Sequence, residues 1–425
     1  MTAQEGNSTS ANVKPLIFQT KTIHWKDSND EYHMNNILLQ DNNGPCFIIS
    51  FVNCLVLKYE LINDWNTWTV VTNSKNKQKK KNYKVIGSIH PKNNKNNENE
   101  ILKIDFDDGA YGADNDDDEE VKALILSEND DSDPIEIIAA KEKAKADLID
   151  CIKTNLVSLR ELLLKKHVSF DSILNCLINI LMNINESKSK STSTPIANIS
   201  EIIDILPTLN SGLNINLEFN NQIIDDFDYE TVVINKLLDI FDIQIYHGFK
   251  PNLTSDIERE IFNKFNTFDR CQDFLIQTID DVELKFGMNL ESISEEYLQK
   301  FLDEGVQGVL AGDLGNNDTQ QTIENNYEDS TNITEEELKD DIRTFQVIKR
   351  FLSENPTQLT NQGLNDLKND TNILRNNSIS IFFRNDHFNT IFKKDDNIYL
   401  LVNDLGFLNT TDIVWQSINS LDGST

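Results

Sequence analysis

Cysteine is scarce in this chain, and none of its five residues (Cys46, Cys54, Cys151, Cys176 and Cys271) forms a CxxC pair. An odd, unpaired set argues against a disulfide framework or a structural zinc and fits a reducing compartment. Long hydrophobic runs are missing, so no segment is expected to cross a bilayer. The opening residues lack a signal-peptide stretch and the last ones lack a prenylation box, so the expectation is a cytoplasmic or nuclear protein without a membrane partner. Cations are outnumbered, 39 Lys and Arg against 70 Asp and Glu, for a net charge of −31. That balance argues against nucleic-acid binding, which needs clustered cations. There is no P-loop, GxGxxG, His-Glu-x-x-His, Cys/His cluster or EF-hand glycine spacing, so neither metal nor cofactor is expected.

What is present falls into apolar segments and polar blocks. Hydrophobic residues make up 38% of the 425, with much of the deficit in two stretches. Residues 72–133 hold a Lys/Asn block and then an acidic one (Asp114 to Glu120), and 311–335 are rich in Asn and Asp. Such sequence cannot bury enough apolar surface to offset its ordering entropy. Both are read as disordered insertions, with 1–13 as a disordered tail, around one domain over 14–425.

Within that domain the patterning predicts strands over 16–25 and 31–39, then an apolar helix from Cys46 to about residue 60. Helices are expected over 135–149 and 156–164. Another is expected from a Ser169 cap to 181, followed by a Ser/Asn/Lys linker over 184–197. A short helix over 200–206, a strand over 212–219, a helix over 231–241 and a strand over 243–246 follow. Further helices are expected over 257–265, 271–278 and 295–302, over 335–352 with Thr334 as cap, and from Asn355-Pro356 onward. Segments 378–383 and 397–402 read as a closing antiparallel pair. The fold class is α+β, with helices around a small antiparallel sheet.

One stretch stands out chemically. Asn43-Gly44-Pro45 bends sharply into Cys46, which opens the apolar helix. Unpaired N–H groups and the helix dipole favour a thiolate at such a position. Gln40 could turn its amide to the same pocket and, with the Cys46 N–H, form an oxyanion hole. Cys54, two turns further on, reads as inert core. The chain has five other histidines besides His387, and His247, after a strand, is the serious rival. His387 is favoured because a hairpin can orient it, with Asn403 on the adjacent strand accepting from the imidazole. Cysteine at a helix start, upstream glutamine and distant histidine are the parts of a papain-like cysteine protease site.

Several boxes, in order, resemble the MINDY deubiquitinases. Gln40…Asn43-Gly44-Pro45-Cys46 resembles their Q-N-x-N-G-P-C box, with Asp41 for asparagine and, just after it, Phe47 for proline. Gly212-Leu213-Asn214-Ile215-Asn216 resembles a G-L-[DN]-[VI]-N segment. Ile245-Tyr246-His247-Gly248-Phe249 resembles L-Y-H-G-W, with Phe249 for tryptophan. Thr357-Gln358-Leu359-Thr360…Gly363-Leu364 resembles a fourth box. The runs from Phe382 to Thr390 and from Tyr399 to Phe407, then Trp415, resemble the C-terminal histidine hairpin.

The resemblance implies a papain-like isopeptidase acting on lysine-48-linked polyubiquitin as a monomer. Cys46 would be the nucleophile, His387 the general base and acid, Gln40 the oxyanion donor and Asn403 the orienting group. His247 would be a structural strand end. Ubiquitin contacts are implied near Asn214, Ile215, Phe249, Phe268 and Phe383. Two rival readings are a polyubiquitin-binding protein with a decayed site, against which Gln40, Cys46 and His387 all stand, and an acidic scaffold with an incidental cysteine.

Overall fold

The computed structural model describes residues 15–41, 44–61, 134–192, 196, 199–224, 229–286, 289–290, 292–310, 335–418 and 421. The tail 1–13, the insertion 72–133, almost all of 311–335 and the expected cap Thr334 lie outside these.

A helix apolar on every side has no solvent face, so it belongs between layers. That is where α1, Cys46–Leu61, sits: thirteen of its sixteen residues are buried. It packs against the strands β2, Tyr32–Leu38, β5, Ser378–Arg384, and β6, His387–Lys394. Strand β2 forms a hairpin with β1, Ile17–Lys26, whose inward Lys21, Ile23 and Trp25 alternate with outward Thr22, His24 and Lys26. A short β3, His167–Ser169, completes the antiparallel order β2-β1-β3.

The second sheet runs β4-β5-β6-β7-β8. Here β4 is Ile245–Tyr246, β7 is Asn397–Leu401 and β8 is Trp415–Ser417. Only the β4–β5 pair is parallel. The α+β class is therefore as expected, but the closing pair is not. Between the two expected strands lies β6, beginning at His387 itself. The turn Asn385-Asp386 has both residues at positive φ, 52° and 56°, and Arg384 pairs with His387 across it. This is the geometry of a two-residue hairpin turn, which asparagine and aspartate tolerate.

Other boundaries shift for physical reasons. One helix, α2, spans Pro134–Leu163 where two were expected. Helix α3, Phe170–Thr192, begins beside Ser169, whose hydroxyl accepts from the Ser172 N–H at 3.2 Å, and takes in the expected linker as far as Thr192. The segment 212–219 alternates like a strand, but among the described residues it finds one bridge, Glu218 to Thr267, and no named strand pairs with it. Residues 355–360 form a turn, not a helix start; α4, Asn361–Asn369, begins after its Thr360 cap.

The box from Thr357 to Leu364 is explained by packing. The Gly363 N–H donates to Thr360 Oγ1 at 3.0 Å, and a Cβ on Gly363 would lie 2.0 Å from the Gly248 carbonyl oxygen. Two backbones touch here, and only glycine allows it. One residue before Gly248, His247 is fully buried. The Phe249 N–H donates to its Nδ1 at 3.2 Å, and its Nε2 sits 2.7 Å from the Asn221 carbonyl. Nε2 therefore carries the proton and donates, and the ring is neutral. Burial pushes its pKa down to about 4 from 6.5.

Gly363→Ala is expected to lower stability by about 2–3 kcal/mol through overpacking, read as a lower urea midpoint. His247 binds fewer protons folded than unfolded between its two pKa values. Its contribution is full above pH 6.5 and is lost as the pH falls towards about 4. Urea titrations should show stability declining across that window by ~3 kcal/mol, and less steeply in His247→Gln.

Candidate active site

The nucleophile position is built by the turn before α1. The Gly44 N–H donates to the Asp41 carbonyl at 3.0 Å, and the Pro45 carbonyl takes the first helical bond, from Ile49, at 3.4 Å. Pro45 thus caps the helix and Cys46 is its first residue, half-buried with a free thiol. The first-turn N–H groups point past it without helical acceptors. Cys54 is the inert cysteine expected: fully buried, with its thiol pushed up to about 12 by desolvation.

Gln40 is held by its backbone. Its N–H donates to the Asn403 carbonyl at 2.7 Å, and its own carbonyl accepts from the Leu405 N–H at 2.8 Å. The side-chain amide reaches the turn and donates to the Gly44 carbonyl at 3.4 Å. Gln40 and Cys46 therefore flank the same bend.

His387 opens β6 just after the β5–β6 turn, about four-fifths of the chain length from Cys46 in sequence, yet lines the same cavity. Burial lowers its pKa, favouring a neutral imidazole with a free lone pair. Asn403 was expected to bond to this ring. It lies in the cavity wall beside it, yet no hydrogen bond joins the two among the described residues. What Asn403 engages is its backbone carbonyl, on Gln40, because the chain leaving β7 runs parallel to Gln40 there.

Gln40, Cys46, His387 and Asn403 line one open cavity of about 570 Å³. Sequence reasoning missed part of its wall. Asp41, Asp386 and Asp404 put three exposed carboxylates at the mouth, and Leu213, Leu400 and Phe407 add apolar surface. The carboxylates stand next to recognised residues, so adjacency was a usable signal. Gln416 comes from β8 and had none.

The expected ubiquitin contacts divide. Asn214 is exposed, while Ile215 and Phe268 are half-buried beside the cavity segment that supplies Gly212 and Leu213. Phe249 and Phe383, by contrast, are buried: they are 1% and 3% exposed. Phe249 stacks on Phe351 at 4.7 Å and Phe383 packs on Phe388 at 4.9 Å. Both are core residues here, because their rings meet other aromatics before they reach solvent. Among the described residues one group, Asp27, Glu31 and His33, has ligand-type atoms within 4.8 Å of one another. It lies on the β1–β2 hairpin and lines no part of the cavity, and His33 pairs with Asp27 at 3.5 Å.

Comparison with known proteins bears on the family of the chain. Residues 128–425 match the family model described as MINDY deubiquitinase. That span contains His387 and Asn403, whereas Gln40 and Cys46 precede it. Over 259 residues the chain is 31% identical to ubiquitin carboxyl-terminal hydrolase MIY1 of Saccharomyces cerevisiae, covering 60% of this chain and 54% of that protein. It is 25% identical over 264 residues to ubiquitin carboxyl-terminal hydrolase MINDY-1 of Homo sapiens, covering 61% and 43%. An uncharacterized Saccharomyces cerevisiae protein, YGL082W, is 29% identical over 225 residues, covering 53% and 44%. The chain spans about half the length of the curated relatives it matches. With well over half of its residues under the family model, and with the boxes in family order, this chain belongs to the MINDY deubiquitinase family.

Proposed function

We propose that this chain is a cysteine-type deubiquitinase of papain-like design, hydrolysing the isopeptide bonds of polyubiquitin. The observation that carries the reading is the convergence of Gln40, Cys46 and His387 on one cavity from opposite ends of the sequence. In this mechanism His387 takes the thiol proton as the Cys46 sulfur attacks the carbonyl of ubiquitin's C-terminal glycine. The tetrahedral oxygen is held by the Cys46 N–H and the Gln40 amide. Collapse breaks the C–N bond, and the imidazolium gives its proton to the leaving lysine amine. Water, deprotonated by His387, then hydrolyses the thioester and frees the thiol. The cavity suits an extended chain end, with apolar walls and carboxylates at the mouth. A preference for lysine-48 linkages is part of the proposal and rests on the family resemblance.

Tetraubiquitin of each linkage is the test substrate. Wild-type chain is expected to cleave the lysine-48-linked form and to take up a ubiquitin C-terminal electrophile. Cys46→Ala should abolish both while still binding the chains; cleavage that survives the substitution refutes the assignment. The pH profile checks the base. Protonation below the lowered His387 pKa removes the proton acceptor, so the acidic limb of kcat/KM should have its midpoint below pH 6.5, the ordinary imidazole value. A midpoint above 6.5 contradicts a desolvated His387.

A further inference from the structure

Helix α1 is mostly apolar in sequence, and two of its polar residues, Ser50 and Asn53, are 0% exposed. With Cys46 they stand at i, i+4 and i+7, which is one face of a helix. A stripe of polar groups therefore runs back from the nucleophile into the core. Burying an amide or a hydroxyl is unfavourable unless every group finds a partner, and the partners found here are specific.

Asn53 grips one residue with both ends of its amide. Its Oδ1 accepts from the Leu38 N–H at 2.7 Å, and its Nδ2 donates to the Leu38 carbonyl at 3.0 Å. These are the bonds a neighbouring strand would make, supplied at the last residue of β2. The backbone alternates from there. Leu39 donates to Gln19 on β1 at 2.8 Å, and Gln40 turns back to bond Asn403 and Leu405. Ser50 ties the same helix to the histidine strand: its hydroxyl donates to the Phe388 carbonyl at 2.9 Å, and Thr390 Oγ1 donates to the Ser50 carbonyl at 3.1 Å.

We propose that Asn53 is a positioning residue for the oxyanion donor: by clamping Leu38 it sets the place of Gln40 relative to Cys46, both of which ride on elements it joins. Ser50 does the same for His387. Reactivity is steep in such distances, since a misplacement of about 1 Å costs about 100-fold. This inference rests on the proposed role of Gln40, so its test separates the two.

The experiment is a double-mutant cycle on tetraubiquitin cleavage by the full chain, using Gln40→Ala, Asn53→Leu and the pair together. Asn53→Leu keeps the branched shape with two methyl groups in place of the amide, and leaves the Leu38 groups unmatched. It is expected to lower kcat by roughly 10- to 100-fold with KM little changed. Gln40→Ala should cost ~100- to 1,000-fold. The double variant should be no slower than Gln40→Ala alone, because the clamp acts only through that glutamine. Losses that multiply in the double variant, or an unchanged kcat in Asn53→Leu, overturn the clamp and leave the deubiquitinase reading intact. A wild-type chain that neither cleaves nor labels overturns both. Should Asn53→Leu fail to fold, Asn53→Ser keeps one hydrogen-bonding group and is read by the same cycle.

Discussion

Two backbone hydrogen bonds, from Gln40 to the Asn403 carbonyl and from Leu405 to the Gln40 carbonyl, close the molecule on itself. They join a segment near the start of the chain to one near its end. Once that bridge forms, the bend before α1 and the wall after β7 become two sides of one cavity. No side chain takes part in the bridge, since main-chain groups make it. The register is set instead by everything that holds the two segments flush: β1 and β2 on one side, and the β5–β8 meander on the other.

Helix α1 is the element on which both sides close. Its apolar surface provides the main burial, packing Phe47 edge-on to Phe388 at 5.2 Å and Phe51 against Phe241 at 5.8 Å. Apolar packing alone tolerates a helix sliding by a fraction of a turn. Directional bonds from Ser50 and Asn53 do not, because each buried polar atom that loses its partner costs about 1–3 kcal/mol. Hydrophobic burial thus decides that α1 is central, and its few polar groups decide where along its axis it stops. Phe47, in the place where the family resemblance carries proline, adds an aromatic contact directly beneath the histidine strand.

The two histidines show how environment separates roles that composition cannot. His247 is sealed, with both ring nitrogens engaged by backbone, and is held neutral at the end of β4. His387 is half-buried in the wall of the cavity, with no such pairing to its ring among the described residues. Burial lowers the pKa of both. Only His387 is left with a lone pair facing space that a substrate can enter.

Much of this was legible from local pattern. The turn Asn43-Gly44-Pro45 announced the helix start at Cys46, alternation marked β1 and β2, and helical spacing marked most helices, because those signals depend on residues a few positions apart. The strand β6 was overlooked because Asn-Asp is a quieter turn signal than Asn-Gly, and the segment 212–219 was overread because alternation does not guarantee a partner. Phe249 and Phe383 looked like contact residues until their aromatic neighbours were known. The amino-acid order by itself determined the seat of Cys46 at a helix start, the class of the fold and the set of candidate residues. Only the tertiary structure decided which of them meet, that the Asn403 carbonyl bonds the Gln40 backbone, and that Asn53 grips Leu38. Those outcomes depend on pairing between segments far apart in the chain, and no local propensity encodes such a partner.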